Sequence, residues 1–195
     1  MKLPKLTKYR QTQIRKNLQR IYQTTTKQEQ RNGKQWYKTA NSLALEIAQA
    51  TGNAYTLETV AEVIAALSPR NKWERNILDA QNVLTAHQNG IHPKDINVCT
   101  FNGNKAKAFD IAQGFDRIKE TAKKTFAFTK NILLDGDFVT VDLWHLRACF
   151  GTTITTGLTP KAYETIQKIT IQEAHKVGLT GYEFQAIVWE KIRTT

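Results

Sequence analysis

Val139-Thr-Val-Asp-Leu-Trp-His-Leu-Arg-Ala-Cys-Phe-Gly151 is the stretch that decides the fold. The extended run Phe138–Val141 is short and gives way to a helical pattern over Leu143–Phe150. Asp142 stands at the junction, where a carboxylate caps free backbone N–H groups and meets the positive end of the helix dipole. No convincing sheet pattern appears elsewhere in the 195 residues, so the fold class is all-α.

Working outward, Ile14, Leu18, Ile21 and Tyr22 step by four, three and one, which predicts a basic amphipathic helix over about residues 8–24. Thr24-Thr-Thr breaks it. Trp36, Ala40, Leu43, Ala44, Ile47 and Ala48 give a second helix over 34–51, ended by Gly52-Asn53. A third helix, apolar on most sides, is capped by Thr56, with Thr59 as the less favoured alternative, and Ser68-Pro69 stops it. A fourth occupies 73–89, residues 91–102 form a loop, and 103–114 resume as helix. Ile118–Leu134 reads as helical up to Asp135-Gly136. Thr159-Pro160 sets an N-cap with proline at the first helical position for a helix over 160–176. Gly181–Arg193 is the last helix.

Composition narrows the function classes. No run of about 18 apolar residues exists, so nothing is expected to span a membrane. The basic N-terminus lacks a following apolar core, so no secretory signal is expected. Cys99 and Cys149 have no metal-ligand spacing and suit a reduced, cytoplasmic protein; neither a disulfide nor a metal is expected. The formal net charge is +11, the signature of a polyanionic partner, most often nucleic acid. The charge is lopsided: the first 40 residues hold eleven Lys and Arg against one acid, Glu29. This divides the chain into a basic N-terminal segment, 1–31, and a helical body, 32–195.

Several blocks, in order, resemble the helix-hairpin-helix base-excision DNA glycosylases. Ile64-Ala-Ala-Leu-Ser-Pro-Arg70, followed by Asn71-Lys-Trp-Glu-Arg-Asn76, is similar to the family's turn from a buried helix into the next. Asn104-Lys-Ala106 resembles the following helix start. Ala122-Lys-Lys-Thr-Phe126 resembles the end of the hairpin, and Val141-Asp-Leu-Trp-His-Leu-Arg147 the catalytic block. Lys124 and Asp142 keep the family's interval of close to eighteen residues. The likeness covers about residues 57–151, with the tryptophan-bearing helix at 183–193 fitting loosely. One departure is the hairpin consensus Leu-Pro-Gly-Val-Gly, which becomes Ile118-Lys-Glu-Thr-Ala122 without either glycine. Phosphate contact there passes to Lys119, Lys123 or the basic segment. The cysteine cluster that holds an iron–sulfur centre in some members is absent, so no cofactor is expected.

The resemblance implies two helical lobes with a cleft and a nucleoid-associated monomer acting on double-stranded DNA with a flipped base. Asp142 would offset positive charge on the sugar, and Lys124 would be either a Schiff-base nucleophile or a DNA contact. Trp144, His145 and Trp73 would wall the base pocket, and Arg70 or Asn71 would fill the gap left by the flipped base. Lys119, Lys123, Thr125 and Arg147 would complete the DNA contacts. Two other readings stand beside it: a DNA-binding module on the same scaffold without catalysis, and an unrelated basic helical nucleic-acid-binding protein.

Overall fold

The computed structural model describes residues 3–152, 154 and 157–193; Met1 and Lys2 of the basic segment lie outside the described residues. The described residues form α1 (Lys8–Gln23), α2 (Lys27–Ala50), α3 (Leu57–Leu67), α4 (Trp73–Gln88), a 3₁₀ turn (Pro93–Asp95), α5 (Asn102–Ala112), α6 (Lys123–Leu133), α7 (Leu143–Phe150), α8 (Pro160–His175) and α9 (Gly181–Arg193), with no strand among them. The all-α class is therefore correct. The chain divides into two compact units, Met1–Lys38 with Asp135–Thr195, and Thr39–Leu134. The division between Lys38 and Thr39 falls within α2.

In the first unit α1 packs on α7, α8 and α9. Ile14 and Leu18 are fully buried, so the basic segment is part of a core rather than a detached arm. Glu173 of α8 fastens it: its carboxylate accepts hydrogen bonds from Arg15 Nη1 (2.7 Å), Gln19 Nε2 (2.5 Å) and Lys176 Nζ (2.7 Å). Burial raises the tendency of this carboxyl to hold its proton, and the three donors outweigh it, leaving it below its ordinary range. Proline at the first turn of α8 and the Thr159 hydroxyl accepting from the Ala162 amide fix that helix start as expected.

α2 begins seven residues before the expected start. Thr26 and Glu29 form a capping box, the Glu29 amide donating to Thr26 Oγ1 (3.1 Å) and the Thr26 amide to Glu29 Oε2 (2.6 Å). The helix then runs straight through Gly33, which lies buried against α9: a Cβ built there would stand 2.5 Å from the Ile187 backbone. Close helix contact overrides the weak helix propensity of glycine.

The second unit is organised on α3, buried from Val60 to Leu67 and packed against α4, α5 and α6. The Thr56 hydroxyl caps it by accepting from the Thr59 amide at 3.1 Å. α6 starts five residues later than the sequence predicts. Residues 118–122 are tied to α3 instead of coiling: the Ile118 amide donates to Glu62 Oε1 (3.1 Å), and the Arg117 guanidinium pairs with Glu62 (2.8 Å) and Glu58 (2.8 Å). A turn closed by the Ala122 amide on the Lys119 carbonyl (2.9 Å) leads into the helix.

Candidate functional site

In the first unit the segment before α7 carries no strand ladder, so its backbone groups find side chains. Tyr163 Oη donates to the Val139 carbonyl (2.8 Å) and accepts from the Val141 amide (3.1 Å), while the Val139 amide donates to Gln167 Oε1 (3.2 Å). Burial pushes the Tyr163 hydroxyl well above the usual phenol range, so it stays a neutral brace. Val139, Thr140 and Val141 are buried, and they deliver Asp142 to the start of α7. Asp142 is half-buried, and its Oδ1 accepts from the His145 amide at 2.7 Å. The cap predicted from sequence is present.

Leu143 (64% exposed) and Trp144 (37%) face outward beside this carboxylate. The Arg147 guanidinium lies 4.7 Å from the Trp144 ring centroid, a cation–π stack on the same helix face. Trp144 thus keeps part of its ring open to solvent while Arg147 lies over it.

His145 is not. It is 1% exposed, and its Nε2 lies 2.8 Å from Thr170 Oγ1. That hydroxyl gives its proton to the Ile166 carbonyl (3.0 Å), so His145 Nε2 must be the donor. Among the described residues Nδ1 is then a buried acceptor with no partner. Burial lowers the imidazole to about 4, so it is neutral. The expected pocket-wall role is corrected: the ring packs between α7 and α8, because its face of α7 points into the core.

In the second unit the α3–α4 turn is a strained, braced loop. Arg70 adopts φ +59°, a left-handed conformation that side-chain-bearing residues rarely hold without support. Support comes from Asp79 on α4, fully buried. Its carboxylate accepts from Asn71 Nδ2 (2.9 Å), Arg75 Nε (2.7 Å) and the Cys99 amide (2.7 Å). Thr100 Oγ1 donates to the Pro69 carbonyl (2.8 Å), joining the two loops. The exposed Arg70 guanidinium then lies 5.2 Å from the ring centroid of Phe101, itself 53% exposed. Arg70 projects from a rigid loop, whereas the Asn71 amide is engaged by Asp79 and belongs to the brace. Trp73, half-buried, packs edge-on against Phe128 of α6, with ring centroids 6.3 Å apart.

At the start of α6, Lys124 and Lys119 are exposed, and Lys123 pairs with Glu120 at 3.3 Å. Thr125 Oγ1 donates to the Ala122 carbonyl (3.1 Å). Glu62, Asp79 and Glu173 are buried anchors outside the sequence motifs, and each is an acid interrupting an apolar helical face, a legible signal of that role.

Among the described residues no group of three or more His, Cys, Asp or Glu is placed to hold a metal ion. No helix there is long and apolar enough to cross a membrane. The fold and these two surfaces define an all-helical protein with a capped carboxylate in one unit and a braced arginine loop in the other. The chain belongs to a family of unknown function, DUF7178, which it matches over residues 1–195. No curated protein and no solved structure matches it.

Proposed function

We propose that the protein is a DNA N-glycosylase on a helix-hairpin-helix-like scaffold, removing a damaged or modified base from duplex DNA. The observation that carries this reading is Asp142, a half-buried carboxylate held at the start of α7 by the His145 amide, beside outward-facing Trp144. When the N-glycosidic bond breaks, its electron pair leaves with the base and C1′ of the sugar becomes positive. A fixed carboxylate stabilises that charge without reorganising. Water then adds to C1′, and Asp142 takes its proton. Trp144, backed by Arg147, is assigned to stack on the extruded base, and Arg70 is assigned to DNA contact.

The exposure of Lys124 supports water rather than lysine as the attacking group, with Lys124, Lys119 and Thr125 as DNA contacts. A panel of duplexes carrying modified bases, incubated with protein and then heated in alkali, is expected to show strand breaks at one substrate class. Asp142→Asn should abolish them, Lys124→Gln should leave base release in place, and borohydride should trap no covalent adduct. An adduct lost in Lys124→Gln would assign the nucleophile to the lysine instead.

A second reading, DNA binding without catalysis, is favoured by one observation. In the altered hairpin the Ile118 amide donates to Glu62 Oε1 (3.1 Å), so this N–H is committed inside the fold. It predicts that no base is released from any duplex and that Asp142→Asn leaves DNA affinity unchanged.

A further inference from the structure

The first twelve residues of α2 carry a charge pattern that base excision does not use. Lys27, Arg31, Lys34 and Lys38 are all exposed. Their spacing of four, three and four puts them within a sector of about 60° on one flank of the helix, at about 100° per residue. The only acid in this part of α2, Glu29, falls on the other flank, where it caps the helix and lies 3.5 Å from Lys191 of α9. Among the described residues Lys27, Arg31 and Lys34 form no ion pair with a carboxylate.

The stripe stands on a rigid support. Gly33 lets α2 touch the α9 backbone at Ile187, and Trp36 meets Trp189 of α9 edge-on, ring centroids 5.9 Å apart. Cations held on a packed helix keep their spacing without losing much chain entropy on binding. From Lys27 to Lys38 the helix rises about 16 Å, roughly the axial length of five base pairs.

We propose that this flank of α2 is a track for the phosphate backbone of duplex DNA. This rests on the glycosylase reading for the choice of DNA as the polyanion. The neighbouring outward positions, Gln28, Asn32 and Gln35, are exposed and polar. A membrane-surface helix would instead offer an apolar face there, and the apolar face of α2 is already buried, with Gly33, Tyr37 and Ala40 in the core. The track supplies sequence-independent affinity, holding the protein on DNA.

The test is binding of an unmodified 30-base-pair duplex, followed by fluorescence anisotropy across a salt series, for wild type and the triple variant Lys27→Gln/Arg31→Gln/Lys34→Gln. Each phosphate contact contributes about 0.9 to the slope of log K against log salt. The triple variant should therefore flatten the slope by about 2.7, with an unchanged melting temperature. Lys27→Arg/Lys34→Arg should keep the wild-type slope. An unchanged slope in the triple variant overturns the proposal. So does a stripe-dependent affinity for phosphatidylserine vesicles without one for DNA. Base release by wild type with an unchanged slope removes the track alone; a flattened slope with no base release from any modified duplex removes the catalytic reading alone.

Discussion

Gly33→Ala sets two physical terms against each other, and the structure says which prevails. In an exposed helix interior the change stabilises by about 0.5–1 kcal/mol, because glycine loses more backbone freedom on folding. At position 33 the new Cβ would stand 2.5 Å from the N, Cα and Cγ1 of Ile187, itself fully buried. Ordinary carbon contacts lie near 3.5–4.0 Å, so the two helices must part by about 1 Å locally. Overpacking costs about 1–3 kcal/mol, and the upper end applies because backbone atoms cannot rotate aside. The net loss is about 2 kcal/mol, which lowers the melting temperature by about 4–8 °C for a chain of this size. Gly103, in the first turn of α5, is the internal control, since a Cβ there meets nothing within 4 Å. Gly103→Ala should raise the melting temperature by about 1–3 °C. Thermal unfolding followed by circular dichroism at pH 7 reads both. A Gly33→Ala protein melting at or above wild type would refute the reasoning, as would the two glycines responding alike.

Asp142→Asn should lower base release by at least about 100-fold, yet shift the melting temperature little, because asparagine caps a helix as well as aspartate; full activity in this variant removes the carboxylate from the chemistry. Asp142→Ala should in addition cost about 1 kcal/mol of stability through loss of the cap. His145 is neutral when folded, with its value lowered to about 4 by burial, whereas the unfolded ring protonates near 6.5. The unfolded state therefore binds the extra proton first, and stability present above pH 6.5 is lost as the pH falls toward 4, by up to about 3 kcal/mol. Denaturant unfolding of His145→Gln should show a flatter profile over that window, and an identical profile would contradict the burial argument. Glu173→Ala removes the acceptor shared by Arg15, Gln19 and Lys176; the two cations are part-exposed and recover hydration, so the loss should be about 2–3 kcal/mol. The wild-type carboxylate, held below its ordinary range, gives stability present above about pH 4.5 and lost on further acidification. A Glu173→Ala protein as stable as wild type at pH 7 would mean that α1 needs no fastening.

Local sequence chemistry determined what is local in this protein. Thr56, Asp142 and Thr159 cap their helices as read, because a cap depends on a side chain two or three residues from the amide it binds. The all-α class followed from periodicity for the same reason. What the sequence could not specify alone were the places where distant groups compete for a backbone. Residues 118–122 have a helical pattern, yet Glu62, 56 residues away, takes the Ile118 amide and holds the segment against α3. Gly33 discourages a helix locally, yet contact with Ile187 keeps it inside one. His145 shares a short helix with the exposed Trp144, and only the packing of α8 decides that one ring faces outward while the other is sealed against Thr170. The basic segment likewise reads as an arm until Glu173 and the buried Ile14 and Leu18 tie it into a core. Tertiary structure decided these features because burying a polar group is costly unless it is paired, and a close helix contact must be filled by the smallest residue, wherever in the chain the partner lies.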